Sequence, residues 1–290
     1  MSNLDALITF IVPCKGRLDY LKISLPRLVA QKNSSVIVVD SDCPDGTAMW
    51  VTTNFPTVNV VRLDDEGIFN LGRSRNKGLE SAVTKWICFI DVDVVLKEGF
   101  VPYVAPLLDE NHYYLFEYNP EKPGVFGSCI VPRAALNNIG CYDEVFEGYG
   151  GDARDLYYRC ERAGLKKQFI MHEFIDFVMQ HSDALRSEYY SEKDIRISQS
   201  WNALYRLAKL NLALLGQDCN QDLEKRQQIF KMARETVKHA LASADHRAEL
   251  VLHVPIDNSD KSNFNMAEFK RKITLEIDLS RIAKDRASTD

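Results

Sequence analysis

Two carboxylates one residue apart, Asp91-Val92-Asp93, follow the apolar run Trp86–Ile90 and precede the apolar pair Val94-Val95. At a strand end, side chains at i and i+2 can converge on one divalent cation, directly or through water. Their hard oxygens suit Mg²⁺ or Mn²⁺, and such an ion can bridge a diphosphate. Ionised groups beside a buried run need partners, so the pair says more here than on a polar surface, where it would cap a helix or face water. A second constellation, Gly148-Tyr-Gly-Gly-Asp-Ala-Arg-Asp-Leu156, sets Asp152 and Asp155 at the start of a helix, where acids also gain from the helix dipole. A third, Asn70-Leu-Gly-Arg-Ser-Arg-Asn-Lys-Gly78, opens a helix from which Arg75 and Asn76 can reach phosphate, ribose or sugar; packing the helix is the alternative role. His181 follows the largely apolar run Ile175–Met179 and is the expected imidazole partner of the two carboxylates, with His172 as competitor.

These residues need a scaffold, and the first 185 residues supply its pattern. Strands are expected at Leu7–Val12, Val36–Asp40, Val58–Leu63, Trp86–Asp91, Tyr113–Tyr118 and Phe126–Val131, with helices at Tyr20–Ala30, Arg73–Val83 and Glu98–Asp109. Short continuous apolar strands alternating with helices indicate an α/β sandwich around a mostly parallel sheet. In such sheets ligands bind beyond the carboxyl ends of the strands. Pro13–Arg17, Asp40 and the pair Asp64-Asp65 all follow expected strands. Lys15 or Arg17 either meets phosphate or is solvated. Asp40 either accepts hydrogen bonds from a base or ribose or shapes the turn Asp40-Ser-Asp-Cys-Pro-Asp-Gly46. Asp65 either touches the base or belongs to a solvated turn.

From residue 186 the pattern changes, giving an expected division into 1–185 and a mainly helical 186–290. Helices are expected at Ile195–Leu215 and Leu223–Ala242, a short strand at Leu250–Pro255, a polar loop at Asp257–Asn265 and a charged helix at Ala267–Lys284. The apolar stripe through Trp201, Leu204 and Tyr205 is read as core, with a homo-oligomer interface or a peripheral membrane face as alternatives.

Composition narrows the functional classes. The 290 residues carry 36 Lys and Arg against 41 Asp and Glu, a net charge of −5. That balance argues against broad adhesion to nucleic acid or anionic membrane. The acidic excess falls before residue 186, which fits a metal site there. Seven cysteines form no C-x-x-C pair and read as reduced thiols. No apolar run reaches the roughly 18–20 residues that span a bilayer, and the start lacks a basic signal-peptide region. A cytoplasmic protein is expected, at most visiting the inner face of a membrane.

Taken in order, Ile11-Val-Pro-Cys-Lys-Gly-Arg17, Val38-Val-Asp-Ser-Asp42, Phe69 to Gly78, Phe89-Ile-Asp-Val-Asp93 and Phe146 to Leu156 resemble the GT-A nucleotide-sugar glycosyltransferases. The N-terminal half looks like family 2. Residues 69–93 and 126–160 look like the β-1,4-galactosyltransferase and polypeptide N-acetylgalactosaminyltransferase C-terminal motif. The resemblance implies a GT-A fold, a UDP-linked hexose or N-acetylhexosamine as donor, Mn²⁺ or Mg²⁺ on Asp91, Asp93 and His181, and a hydroxyl acceptor on a glycan, a lipid-linked glycan or another molecule. It implies donor contacts from Pro13, Arg17, Asp40, Asp65, Asn70, Arg75, Asn76, Asp91 and Gly127, the last in a segment whose small residues leave room for the sugar. Tyr149, Gly151 and Asp152 would face the acceptor. The family's general base falls at Ala153, which has no carboxylate; Asp152 or Asp155 must take the role, or the reaction is of another kind, or the domain binds sugar nucleotides without catalysis.

Overall fold

The structure, a computed structural model, describes residues 6–64, 67–117, 125–180, 182–255 and 270–287. In chain order the first elements are β1 (Ile8–Cys14), α1 (Leu18–Val29), β2 (Ser34–Asp40), α2 (Thr47–Asn54), β3 (Asn59–Arg62), α3 (Leu71–Glu80) and β4 (Trp86–Phe89). Next come β5 (Val94–Leu96), α4 (Phe100–Val104), β6 (His112–Phe116), β7 (Cys129–Pro132), α5 (Arg133–Ile139), α6 (Asp152–Arg162), β8 (Lys166–Ile170), β9 (Ile175–Val178) and α7 (Asp183–Ser187). The last are α8 (Ile195–Leu214), α9 (Leu223–Ala242), β10 (Arg247–Pro255), β11 (Lys270–Asp278) and α10 (Ser280–Ala287).

The chain folds as two compact units, one of residues 1–144 and 152–193, the other of 145–151 and 194–290. The first is built on a seven-stranded sheet in the order β3-β2-β1-β4-β7-β6-β8. β3, β2, β1 and β4 run parallel, as do β6 and β8, while β7 is antiparallel to both neighbours. Alternate side chains of each central strand enter two different cores. Ile8, Phe10 and Val12 of β1, Val36 and Val38 of β2, and Trp86 and Cys88 of β4 pack with Leu21, Leu25 and Leu28 of α1. Ile11, Ile37, Val39, Ile87 and Phe89 pack instead with Leu136 of α5 and Leu156 and Cys160 of α6. Burial on both faces is why these strands read as unbroken apolar runs. Each fully buried Ile, Leu or Phe contributes roughly 1.5–3 kcal/mol. β5 and β9 form a separate antiparallel pair.

The second unit has its own core. Trp201, Leu204, Tyr205, Ala208 and Leu212 of α8 and Phe230, Ala233, Val237 and Ala240 of α9 meet Leu250, Leu252 and Val254 of β10. The helical spacing of the first two groups and the two-residue spacing of the third are what buried faces of a helix and a strand require. β10 pairs antiparallel with β11 from Arg247–Asp278 to Pro255–Lys270. Lys270–Asp278, expected as helix, is therefore a correction. Ile273, Leu275 and Ile277 alternate with exposed Lys272, Thr274, Glu276 and Asp278, a strand period outweighed in the sequence by the density of charge. The loop expected at 257–265 lies outside the described residues. Among the described residues no helix is long and apolar enough to cross a membrane.

Candidate active site

Because β1, β2 and β4 are parallel neighbours, their carboxyl ends gather Cys14–Arg17, Asp40–Asp42 and Asp91–Asp93 on one side of the sheet. The Asp91–Asp93 turn is fixed from several directions. Asp91 N–H donates to Ser128 Oγ at 3.2 Å, and Val94 N–H donates back to the Asp91 carbonyl at 3.1 Å. Ser24 Oγ donates to the Val92 carbonyl at 2.8 Å, and Met179 N–H to the Asp93 carbonyl at 2.9 Å.

Arg75, on α3, is the hub of this end. Its side chain is 0% exposed. Nη2 donates to Asp91 Oδ1 at 2.6 Å and Nη1 to the Tyr142 hydroxyl at 2.8 Å, while Nη1 stands 3.9 Å from Asp152 Oδ2. The guanidinium also lies over the Tyr142 ring, 4.9 Å from its centroid. One buried cation thus connects the acid after β4 with the acid that opens α6. The acids themselves reach solvent: Asp91 is 27% exposed and Asp152 15%. Burial and the Asp91 charge push Asp152 above the usual carboxylate range, and Arg75 only partly offsets them. Asp93 is pushed up to about 7, first by burial and then by Asp91, with Arg186 and Arg17 pulling the other way.

Helix α6 explains why the acid sits at 152. Ala153, Leu156, Tyr157 and Cys160 share the face buried in the second core of the sheet. A carboxylate at 153 would enter that apolar layer, whereas Asp152 is placed beside Arg75. Asp155 is drawn inward: its carboxylate accepts from Arg159 Nε at 2.8 Å, one helical turn away, and is 3% exposed. A catalytic role for Asp155 finds no support in that placement.

Residues 9–125 match glycosyl transferase family 2. No curated protein matches the sequence. Among solved structures, the mannosyltransferase PcManGT from Pyrobaculum calidifontis, in complex with GDP-Man and Mn²⁺, superposes with a TM-score of 0.55 at 17% identity, over 82% of this chain and 74% of that one. S. aureus TarS 1–349 superposes with a TM-score of 0.52 at 14% identity, over 80% of this chain and 91% of that one. The fold is that of the GT-A glycosyltransferases, a mostly parallel sheet flanked by helices.

Several expected donor residues are engaged within the protein. Asp40 accepts from Cys43 N–H at 2.8 Å and Ala48 N–H at 2.7 Å, so its carboxylate shapes the turn into α2. Asn70 caps α3 by accepting from Arg73 N–H at 2.9 Å and donates to the Glu144 carbonyl. Asn76 donates to the Tyr142 carbonyl at 2.9 Å and to Glu144 at 2.8 Å, and accepts from Tyr142 N–H at 3.0 Å. Both asparagines tie α3 to residues 142–144 and so hold Tyr142 against Arg75. Gly127 makes room for protein: a Cβ there would stand 2.7 Å from Asp91 Oδ2 and 3.4 Å from Arg75 Nη2. Pro13 lies in β1 beside Val39. Arg17 donates to the Gly16 carbonyl at 3.1 Å and to the Leu185 carbonyl, and pairs with Glu188 at 3.7 Å. Lys15 is buried, donating to the Ser41 carbonyl at 2.9 Å. The segment after Ser182 therefore docks on the β1 loop; Phe69 N–H also donates to the Tyr189 carbonyl at 2.8 Å.

Tyr149 and Gly151 belong to the second unit, in a loop fastened to α8. Tyr149 N–H donates to Ser198 Oγ at 3.1 Å, and Asn202 Nδ2 donates to the Glu147 carbonyl at 3.0 Å and the Gly150 carbonyl at 2.7 Å. Gly151 has φ +96°, which a side chain would strain, and a Cβ there would meet Asn202 Cβ at 2.9 Å. Tyr142 is not legible in the sequence as a partner of Arg75, since only its long-range contacts reveal it; Ser128 reads as a small residue beside Gly127, and the structure adds its hydrogen bond from Asp91 N–H. His181 and Asp65 lie outside the described residues.

The donor set suits a divalent cation. Asp91 and Asp93 are adjacent acids whose mutual repulsion and burial raise Asp93, a cost that a bound cation removes. Among the described residues no third His, Cys, Asp or Glu joins them.

Proposed function

We propose that the chain transfers a sugar from a nucleoside diphosphate sugar to an acceptor hydroxyl, with Mn²⁺ or Mg²⁺ held by Asp91 and Asp93. The observation that carries this reading is the buried Arg75, which connects Asp91 on the expected donor side to Asp152 at the head of α6. The family match over residues 9–125 and the GT-A fold point the same way.

Asp152 is the general base. It accepts the proton of the acceptor hydroxyl as that oxygen bonds to the sugar carbon and the diphosphate leaves. A carboxylate raised above its ordinary range is a better proton acceptor than a free one. Arg75 orients it and keeps it ionised beside Asp91. Arg17 and Arg186, whose charges are felt at Asp93, face the diphosphate. When bound, the cation supplies electrostatic stabilisation of the departing diphosphate. The acceptor is a glycan, lipid-linked glycan or other hydroxyl compound. A non-catalytic module rests on Ala153 alone, and Ala153 faces the core.

UDP is the proposed nucleotide, and the GDP-Man bound to PcManGT brings guanosine donors into the same test. Purified protein with Mn²⁺ and a panel of UDP-, GDP- and dTDP-sugars is assayed for nucleotide release, with thermal shift as the binding readout. Metal-dependent release from one donor, lost in Asp91→Ala and Asp93→Ala, is the expected result. Failure of every sugar nucleotide to bind with either metal overturns the reading.

A further inference from the structure

Two cysteines meet where β1 and β2 end. Cys14, the last residue of β1, is fully buried, and Cys43, in the turn before α2, is half-buried. Thr47 Oγ1 touches both sulfurs, donating to Cys43 Sγ at 3.1 Å and standing 3.4 Å from Cys14 Sγ. Gly16 N–H donates to Cys43 Sγ at 3.1 Å. Cys43 therefore sits among donors supplied by the β1 loop and the first residue of α2, with Cys14 Sγ against the same threonine hydroxyl.

That is the environment of a thiolate. The donors outweigh burial and bring Cys43 down to about 5, while Cys14, whose proton the pair retains, is pushed up. The charged and titratable groups around the pair are few. The Asp45 carboxylate is turned to Leu18 N–H at 3.2 Å, Asp40 to backbone N–H groups, and Lys15 to the Ser41 carbonyl. The Tyr189 phenol is raised by burial, Glu188, Asp45 and Cys43, with Arg17 opposing. The other five cysteines are all buried, and none of the roles described above uses Cys14 or Cys43.

We propose that Cys43 is a peroxide-reactive thiolate resolved by Cys14, so that the ends of β1 and β2 carry a reversible disulfide. The Cys43 sulfur attacks one oxygen of a hydroperoxide; the O–O bond breaks, leaving Cys43 as sulfenic acid, and the second oxygen departs as hydroxide or alkoxide, which takes a proton from solvent. Cys14 passes its proton to the sulfenic oxygen and attacks the Cys43 sulfur. The S–O bond breaks, a water leaves and the S–S bond forms. Two thiols are oxidised by two electrons in all, and the peroxide is reduced. The bond would constrain Lys15, Gly16 and Arg17. A loss of donor affinity on oxidation rests on the proposed function, but formation of the bond does not.

The test uses the full chain. Native protein is treated with an equivalent of hydrogen peroxide at neutral pH, blocked with iodoacetamide and digested without reduction. A Cys14–Cys43 linked peptide that dithiothreitol removes is expected, and Cys14→Ser protein should instead be trapped by dimedone at Cys43. On untreated wild-type protein, iodoacetamide should label Cys43 first, at a rate nearly flat from pH 6 to 8, where an ordinary thiol accelerates by roughly two orders of magnitude. Absence of the linked peptide, or a Cys43 labelling rate that climbs like a free thiol, overturns the proposal.

Discussion

Two buried arginines of the first unit hold aspartates, and they do so differently. Arg159 pairs with Asp155 from the same helix, one turn apart, and its Nη1 donates to the Ile139 carbonyl at 2.9 Å. Arg159 is 6% exposed and Asp155 3%. Arg75 takes its partners from separate elements, the turn after β4 and the first residue of α6, and leaves both acids partly exposed, Asp91 more than Asp152. A pair buried within one helix fixes that helix in place. A buried cation whose acids stay partly exposed holds those acids at a set separation. The difference is why the proposed function gives the general base to Asp152 and a structural role to Asp155, only three residues away.

Removing Arg75 should break this contrast most severely. Arg75→Met leaves Asp91 and Asp152 without their shared cation, and loss of one member of a buried pair costs about 3–5 kcal/mol. Urea unfolding should show a loss of that size, with activity abolished. Arg75→Lys should restore part of the stability but little activity, because an ammonium lacks the fork that serves Asp91 and Tyr142 together. Asp155→Asn should cost about 3 kcal/mol by the same measurement, yet leave activity per folded molecule near wild type; an equal loss of turnover would merge the two sites. Mn²⁺ at a hundred times its dissociation constant should stabilise the protein by about 2.7 kcal/mol, and Asp93→Asn should remove most of that gain in a thermal shift. Gly127→Ala is the mildest: its methyl crowds Asp91 Oδ2, and about 1–3 kcal/mol of overpacking is expected, read as a raised donor KM with a small fall in melting temperature.

The sequence made the first unit readable because its central strands are buried on both faces. β1, β2 and β4 announced themselves as apolar runs, and the acids that follow β2 and β4 gather at the carboxyl end of the sheet. β7 begins three residues later than expected because Val125–Ser128 forms a turn, with Ser128 N–H donating to the Val125 carbonyl at 2.9 Å. β11 was hidden by its lysines and glutamates, although its apolar residues alternate. In the site, the residue types were visible but their partners were not. Asn70 and Asn76 have the polar groups to bind a nucleotide, and only the fold reveals Tyr142 and Glu144, more than sixty positions away, as what they hold. Arg75 likewise reads as a phosphate ligand until Asp91 and Asp152 are seen to converge on it.

The most direct test of the account compares Asp152→Asn with Asp155→Asn, both verified as folded, for transfer from the donor that the wild-type protein uses. The account predicts that Asp152→Asn loses roughly two to four orders of magnitude in kcat while its donor binding persists, and that Asp155→Asn turns over at close to the wild-type rate once corrected for folded fraction. An Asp152→Asn protein that transfers sugar as fast as wild type, or an Asp155→Asn protein that is folded and inactive, would contradict it.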